Sequence, residues 1–458
     1  MTKQSIEDLP IAVIGGGPIG LAAAAHLASR NVPVKVYEAG TSVASNIRDW
    51  GHIRVFTPWR YCVDSAATTL LEKHGWRMPP EDDIPTGLEI VTRYLEPLAA
   101  TPELSGVIEI GARVTAISRL GIDKVVSQGR ENRPFVLVVE TSNGVRRDLA
   151  RAVIDVSGTW TTPNPLGASG LPADGEAQNA DSIAYGIPDV LGRDRTAYAG
   201  RTTLVVGAGH SAANVLLDLA RLAEAEPSTS LLWATRGTNL ARVYGGGDAD
   251  ELASRGDLGR RLRELVETGR TTLTPGFSIL RLRKEADRLV AEGETADGPM
   301  ALGPIDRIIV TTGQRPDLAL TRELRLELDP WLESVKALGP LIDPNKHSCG
   351  SVPPHGYREL SHPEPGFYTA GIKSYGRAPT FLLLTGYEQV RSIAAALAGD
   401  FAAAQNVQLV IPETGVCSLQ VDDSVAPSGC CDTPPAKKAA PCCAGAAADQ
   451  VVERIGEH

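Results

Sequence analysis

A glycine-rich turn near the N-terminus places the strongest constraint on the fold. The apolar run IAVI leads into Gly15, Gly17, Pro18 and Gly20 in the spacing G-x-G-x-x-G, and an alanine-rich stretch of helical character follows. This order predicts a strand, a tight turn and a helix whose first N–H groups bind a diphosphate. Glu38 lies at the expected end of the second strand, where an acid binds ribose hydroxyls. The sequence therefore predicts a Rossmann unit that binds a dinucleotide.

A second glycine turn follows the apolar run TTLVV in the middle of the chain. Gly207, Gly209, Ser211 and Ala212 form the relaxed variant G-x-G-x-x-A, again before a helical stretch. After the next predicted strand the chain has Arg236 instead of an acid. A guanidinium pairs with the 2′-phosphate of NADP, which a carboxylate would repel. This unit is predicted to bind NADPH rather than NADH, the alternative being that Arg236 is an ordinary solvated arginine.

Length and charge limit the organisation and the partners of the chain. Its 458 residues exceed one ordinary core and predict about two to four domains. A formal net charge of −10 argues against nucleic acid and anionic membranes as partners. The first strand follows a short polar start, and every apolar run is interrupted well before the ~18 residues of a membrane span. We expect a cytoplasmic protein.

The two glycine turns divide the chain into repeated α/β units. Each turn is followed by a helix and a strand, then by short alternating strands that predict an antiparallel layer. The fold class is therefore α/β, with two Rossmann-like, three-layer ββα domains. The predicted parts are a first domain over 1–163, a second over 164–340, a return to the first over 341–404, and a flexible cysteine-rich tail over 405–458.

The order of these motifs resembles the two-dinucleotide-domain flavoproteins. Two fingerprints, with VSGTW and TTGQRP closing the two halves, carry the resemblance over roughly residues 8–402. It implies the fold of glutathione reductase and of flavin-containing monooxygenases, with FAD at the first glycine turn and NADPH at the second. The glutathione-reductase branch uses a redox-active cysteine pair, and the monooxygenase branch has none and reacts its reduced flavin with O₂.

Cysteine placement separates the two branches. A disulfide reductase needs two cysteines a few residues apart beside the flavin. Cys62 stands alone after the first fingerprint, and the second domain has no C-x-x-C. This excludes the usual dithiol mechanism. The segment before the second fingerprint carries Ser182 and Tyr185 of a monooxygenase signature variant, but Asp181 replaces its histidine and its leading aromatic residue is missing.

Three further segments are candidates for contact with the flavin. Within WGHIRVFTPWRY (residues 50–61, the tryptophan segment), Arg54 and Trp59 are candidate catalytic residues, and Arg54 would stabilise an anionic reduced flavin. The alternative is a packed loop with its tryptophans in the core. Gly371, in GFYTAGIKSYGRAPT, resembles the late FAD-binding turn, although Ile372-Lys373 stand where an acid is usual. Cys349 lies upstream in HSCG and is a third catalytic candidate, or an ordinary cysteine.

Cysteine pairs in the tail indicate chemistry of another kind. Cys430, Cys431, Cys442 and Cys443 form two vicinal pairs in an Ala- and Pro-rich setting. Thiolates on a mobile chain favour soft ions such as As(III), and chance enrichment is the alternative. The pairs, with the tryptophan segment and GIKSYGRAPTFLLLTGYEQVRS, resemble the CzcO-type flavoproteins encoded beside arsenic-resistance genes.

Three hypotheses follow for the function. The first is a monooxygenase that uses O₂ on a small molecule with a soft sulfur or As(III) atom. The second is a flavin-dependent metalloid reductase supplied by the tail, and the third is a thiol- or metalloid-binding protein. A homodimer is left open in each.

Overall fold

The computed structural model describes residues 5–245, 253–347 and 352–409, all within one compact unit. In chain order the strands are β1 Ile11–Ile14, β2 Val34–Glu38, β3 Ile108–Ile110, β4 Arg113–Arg119, β5 Phe135–Thr141, β6 Gly144–Ala150, β7 Ala152–Asp155, β8 Ile183–Tyr185, β9 Thr202–Val206, β10 Ser230–Thr235, β11 Thr272–Pro275, β12 Ser278–Glu285, β13 Arg288–Thr295, β14 Gly298–Ile305, β15 Arg307–Val310 and β16 Phe367–Thr369.

The helices are mostly short. In chain order they are α1 Pro18–Ala28, α2 Ser45–Asp49, α3 Ser65–Lys73, α4 Gly87–Ile90, α5 Glu96–Ala99, α6 Pro102–Ser105, α7 Arg195–Tyr198, α8 His210–Ala225, α9 Ala241–Tyr244, α10 Ala253–Glu267, α11 Gly339–Ile342, α12 Leu383–Leu397 and α13 Phe401–Gln405. Four longer ones, α1, α8, α10 and α12, cover the sheets. A π-helical turn, Val91–Leu95, joins α4 to α5. Within the described ranges, no helix is long and apolar enough to cross a membrane.

The first domain is built on a five-stranded parallel sheet in the order β16-β7-β1-β2-β3. Its central strand β1 is buried along its whole length, as the uninterrupted apolar run IAVI requires. The alanine-rich helix α1 covers one face and packs against α12. On the other face, β4, β5 and β6 form an antiparallel sheet. The two sheets and the helices make three layers.

The second domain repeats this plan. Its parallel sheet has the order β11-β10-β9-β15-β8, and β12, β13 and β14 form the antiparallel layer. The helices α8 and α10 pack on the outer face, and the apolar side chains of α8 fill the core between them and the sheet. The predicted fold class, two Rossmann-like ββα domains, is confirmed.

The chain returns to the first domain near its C-terminal end. After the second domain, β16 pairs with β7 at the edge of the first sheet, and α12 follows on α1. Beyond α13, the carbonyl of Asn406 accepts a hydrogen bond from Arg391 and the amide of Gln408 donates to Glu388. The described contacts thus include Asn406 and Gln408, and the tail over 405–458 stays a prediction. Residues 410–458 lie outside the described residues.

A buried cluster of charges fixes the entry of this returning segment. Glu364, three residues before β16, is fully buried and accepts hydrogen bonds from Arg119 on β4 (2.8 Å) and Arg130 (2.7 Å). Its carboxylate also accepts from the amide of Arg325 at 3.1 Å. Burial raises the pKa of Glu364, but the hydrogen bonds from Arg130 and Arg119 outweigh this and hold its pKa below the ordinary value. The cluster joins segments that lie more than two hundred residues apart in the chain.

We predict that Glu364→Gln strongly destabilises the protein. The amide leaves two buried guanidiniums without their counter-ion, at a cost of about 3–5 kcal/mol. The thermal unfolding midpoint, followed by circular dichroism at pH 7, should fall by several degrees. Because the folded pKa is depressed, the contribution of Glu364 is present above its unfolded pKa of about 4.3 and is lost as the pH falls through the folded value. The difference between the two proteins should therefore shrink in acid.

The matched control is Glu327→Gln, which removes an exposed carboxylate paired with Lys336 at 3.3 Å. An exposed pair contributes little, so this midpoint should stay close to wild type. Equal shifts in the two variants would contradict a special role for Glu364.

Candidate dinucleotide sites

The first glycine turn (residues 15–20) is held by two close backbone approaches. Gly15 has a φ of 110°, and a Cβ on it would lie 2.8 Å from the carbonyl oxygen of Val156, just after β7. A Cβ on Gly20 would lie 1.9 Å from the carbonyl oxygen of Gly15. No L-residue with a side chain fits at either position without moving the backbone. These two glycines therefore serve the packing of β1, α1 and β7.

Gly17 has a different reason to be glycine. Its backbone is extended, and a Cβ there would have no heavy atom within 4 Å. Helix α1 begins at the next residue, Pro18, and no side chain caps its N-terminus. Proline suits this first helical position, where no partner for its missing N–H is needed. The first amides of α1 thus face open space beside Gly17, the arrangement that binds a diphosphate.

Glu38 braces this turn from the end of β2. One carboxylate oxygen accepts a hydrogen bond from the amide of Gly16 and the other accepts from the amide of Gly40, both at 2.7 Å. A carboxylate offers about four lone-pair sites. Two acceptor sites are therefore left for other donors, such as the ribose hydroxyls predicted from the sequence.

The second glycine turn (residues 207–212) repeats the design. Gly207 has a φ of 136°, and a Cβ on it would lie 2.6 Å from the carbonyl oxygen of Thr311, just after β15. Gly209 has nothing within 4 Å of its Cβ position and precedes α8, whose N-terminus no side chain caps. Ala212 is fully buried against the sheet, and Ser211 is half-buried in the first turn of α8. Each domain therefore presents one open glycine at an uncapped helix N-terminus.

Arg236 lies directly after β10, the strand beside β9. Its side chain is exposed, and one Nη donates a hydrogen bond to the carbonyl oxygen of Ala168 at 2.8 Å. A guanidinium has five N–H donors. The one bond orients the group, and the other donors stay available to a phosphate.

The tryptophan segment and the residue before it contact the second domain at two points. The residue before it, Asp49, accepts a hydrogen bond from Trp160 Nε1 at 2.9 Å on its carboxylate and one from Arg193 at 2.7 Å on its carbonyl. Further on, the ring of Phe56 packs edge-to-face against His210, with 5.1 Å between centroids. His210 is the first residue of α8. The segment therefore contacts the N-terminal end of the second nucleotide helix.

The two candidate catalytic residues of this segment have contrasting surroundings. Arg54 is exposed, and its guanidinium donates a hydrogen bond to the carbonyl of Ile84. Trp59 is 1% exposed in the core of the first domain, and the Arg93 guanidinium lies 5.6 Å from its ring centroid. A role for Arg54 or Trp59 at a flavin stays a prediction.

Gly371 begins a short turn after β16 that lies on α1. A Cβ on Gly371 would be 3.4 Å from Ile19, in the first turn of α1. The amide of Gly371 donates to Gln389 Oε1 at 2.7 Å, so this N–H is taken within the protein. Two residues on, Lys373 is buried and its ammonium contacts Asp155 and Ser157. Sequence reasoning missed both Gln389 and Asp155. The one available signal was an acid at the end of the apolar strand β7.

The described ranges contain one cysteine, Cys62, and its surroundings disfavour the reactive thiolate. Cys62 is fully buried, and burial raises its pKa to about 11 although a hydrogen bond with Thr57 opposes the shift. No group of three or more histidine, cysteine or acidic side chains in this part of the chain could hold a metal ion. Cys349 and the predicted soft-metal ligands Cys430, Cys431, Cys442 and Cys443 lie outside the described residues.

Comparison with known proteins agrees with this architecture. Residues 13–77 match the family of NAD(P)-binding Rossmann-like domains. No curated protein sequence matches the chain. The bacillithiol disulfide reductase of Bacillus cereus is similar in structure, with a TM-score of 0.62 and 15% identity over 85% of this chain and 99% of that one. A flavin-containing monooxygenase from Stenotrophomonas maltophilia gives a TM-score of 0.54 and 20% identity over 85% and 98%.

A third similar structure is the ornithine N-hydroxylase of Kutzneria sp. 744, with a TM-score of 0.56 and 15% identity over 86% of this chain and 98% of that one. At such identities the likeness concerns the fold. The chain therefore shares its two-domain fold with these reductases and monooxygenases.

We predict that Cys62 does not react in the folded protein. At pH 8 a thiol with a pKa of about 11 is thiolate in roughly one molecule per thousand, and the thiolate is the reactive form. Alkylation by iodoacetamide, read at the Cys62 peptide by mass spectrometry, should be at least about 100-fold slower in native protein than in urea-unfolded protein. Similar rates in the two states would show that the thiol is accessible.

Proposed function

We propose that the chain is an NADPH-dependent flavoenzyme, with FAD at the first glycine turn and NADPH at the second. The observation that carries the proposal is the pair of open glycines, Gly17 and Gly209, each before an uncapped helix N-terminus. Each domain thus offers one diphosphate site. The Kutzneria hydroxylase, whose structure contains reduced FAD and NADP⁺ on a similar fold, supports this pairing of cofactors.

The preference for NADPH rests on Arg236. Its guanidinium stands at the end of β10, where a Rossmann domain meets the ribose of its nucleotide. The group is exposed, and among the described residues its one hydrogen bond is to Ala168, with no ion pair to be broken before the guanidinium donates to a 2′-phosphate. The phosphate supplies the charge that a guanidinium binds in a bidentate manner.

The reaction class that we propose is monooxygenation of a small molecule. Bound FAD supplies the redox chemistry, taking a hydride from NADPH and delivering two electrons to O₂. Each turnover consumes NADPH, a proton and O₂, places one oxygen atom in the substrate and releases the other as water. This balance needs no cysteine. A disulfide reductase does need a reactive thiol, and the one cysteine among the described residues, Cys62, is buried with a raised pKa.

The substrate class is a small molecule with a soft sulfur or As(III) atom, in the setting of metalloid resistance. The support is the two vicinal cysteine pairs of the tail and the resemblance to flavoproteins encoded with arsenic-resistance genes. Soft thiolates bind the same class of atom that an electrophilic oxygen donor attacks. The same cysteine pairs make a metalloid reductase, or a metalloid-binding role for the tail, the second candidate.

Oxygen transfer and metalloid reduction can be separated in one experiment. The purified full-length protein, loaded with FAD, is given NADPH and a panel of thiols, sulfides and arsenite under ¹⁸O₂. We expect at least one compound to accelerate NADPH oxidation and to acquire one ¹⁸O atom, with less peroxide released than NADPH consumed. Stoichiometric peroxide with every compound would contradict monooxygenation. Substrate-dependent NADPH oxidation without O₂, using arsenate or a disulfide, would favour the reductase.

Arg236→Ala tests the choice of NADPH. Loss of a charge-assisted contact to the 2′-phosphate costs about 1.5–3 kcal/mol. The KM for NADPH should therefore rise roughly 10- to 100-fold, while the KM for NADH changes less than about twofold. Steady-state oxidation of the two nucleotides measures both values.

Two controls frame this result. Gly209→Val places a side chain in the open space before α8, so it should weaken both nucleotides while leaving the unfolding midpoint close to wild type. Arg283→Ala removes another exposed arginine, on β12, and should change neither KM. If Arg236→Ala raises the KM for NADH and the KM for NADPH equally, the arginine does not bind the 2′-phosphate.

A further inference from the structure

A buried ammonium lies beside the first glycine turn. Lys373 is 2% exposed, and its Nζ donates to Asp155 Oδ2 at 2.7 Å and to Ser157 Oγ at 2.9 Å. Asp155 is fully buried at the end of β7. Burying two charges is costly, and an ion pair of this kind stabilises a fold little more than apolar packing would. The pair therefore calls for a reason other than stability.

Ser157 connects this pair to the glycine turn. Its Cα lies 3.1 Å from the position that a Cβ on Gly15 would occupy. The turn that carries Lys373 approaches the start of α1, where a Cβ on Gly371 would lie 3.4 Å from the side chain of Ile19. The ammonium thus joins this turn to the end of β7. Both flank the site where the structure has room for a diphosphate.

Within the cluster of Asp155, Ser157 and Lys373, every polar group except the ammonium has its hydrogen bonds accounted for. Ser157 Oγ donates to Asp155 Oδ1 at 2.8 Å, and the amide of Ser157 donates to the same oxygen at 3.1 Å. The hydroxyl proton is therefore used, and Asp155 has partners on both oxygens. Lys373 has three N–H donors, and two of them have acceptors among the described residues. One donor of a nearly buried cation is left without a protein acceptor there.

We propose that Lys373 is a positioning residue for the flavin dinucleotide, whose spare N–H and charge serve the diphosphate, with Asp155 as the counter-ion that holds the ammonium in place. This inference rests on the proposed function, which puts FAD at the first glycine turn. The uncapped amides of α1 supply partial positive charge at this site. Lys373 adds an ammonium N–H whose charge is paired with Asp155, in a poorly solvated position where a charged donor binds a phosphate more strongly than in water.

The test separates a cation that serves the ligand from one that only neutralises Asp155. Lys373→Met leaves a buried carboxylate without its partner and should both destabilise the protein and weaken the binding of FAD. In the double variant Asp155→Asn/Lys373→Met both charges are gone, so the unfolding midpoint without FAD should recover. We expect the Kd for FAD, measured by titrating the full-length apoprotein and following flavin fluorescence, to stay roughly 10- to 100-fold above wild type. Recovery of the wild-type Kd would overturn the proposal.

ADP as a second probe identifies the part of FAD that Lys373 serves. ADP carries the diphosphate and lacks the flavin ring, so its Kd, measured by calorimetry, should rise in the double variant by a similar factor. An ADP affinity that the double variant leaves unchanged would overturn the assignment to the diphosphate. Gly17→Val is the positive control, because it fills the open space itself: it should abolish FAD binding and the ADP binding at this turn, while ADP binding at the second glycine turn remains.

Failure of the proposed function gives a different pattern. Wild-type protein that binds ADP at this turn but no FAD would overturn the flavin assignment. The effect of the double variant on ADP would still decide the role of Lys373. Wild-type protein that binds FAD with the same Kd as the double variant would overturn the inference on Lys373 alone.

Discussion

The structure depends on how closely three pieces of backbone approach at the first glycine turn. At Gly15 and Gly20 a single added carbon would lie 2.8 Å and 1.9 Å from carbonyl oxygens of Val156 and Gly15. The centre of the sheet, the start of α1 and the end of β7 are therefore in direct backbone contact. The second domain uses the same approach between Gly207 and Thr311. The fold needs glycine at these positions, whereas packing does not require it at the neighbouring Gly17 and Gly209, where the proposed diphosphate sites lie.

Two buried ionic clusters then attach the returning chain to this centre. Before β16, Glu364 pairs with Arg119 on β4 and with Arg130 in the connection between β4 and β5. After β16, Lys373 pairs with Asp155 on β7. Strand β16 has three residues and one neighbour in the sheet, so its own hydrogen bonds are few. Charges on both sides of a short edge strand fix its register against β7. That register also fixes the position of the turn Gly371–Tyr375, which follows β16 and packs against α1.

The sequence was sufficient for the parts of this architecture that are local. A strand, a glycine turn and a helix are contiguous, so the roles of Gly15 and Gly20 follow from spacing alone. The pairing of Lys373 with Asp155 spans 218 residues, and nothing in either neighbourhood specifies the other. From the sequence alone, Lys373 is distinguished only by standing where an acid is usual. The contact of Phe56 with His210 is equally non-local, because it depends on how the two domains pack.

That last contact bears on how two binding sites take part in one reaction. Hydride transfer requires the reacting atoms to approach to about 3–3.5 Å, which two independent domains do not guarantee. Phe56 extends from the first domain to the first residue of α8, next to the open Gly209. Asp49 fixes the same segment by hydrogen bonds from Trp160 and Arg193. Under the proposed function, a nucleotide at Gly209 would therefore lie beside Phe56 of the first domain, the domain proposed to bind the flavin.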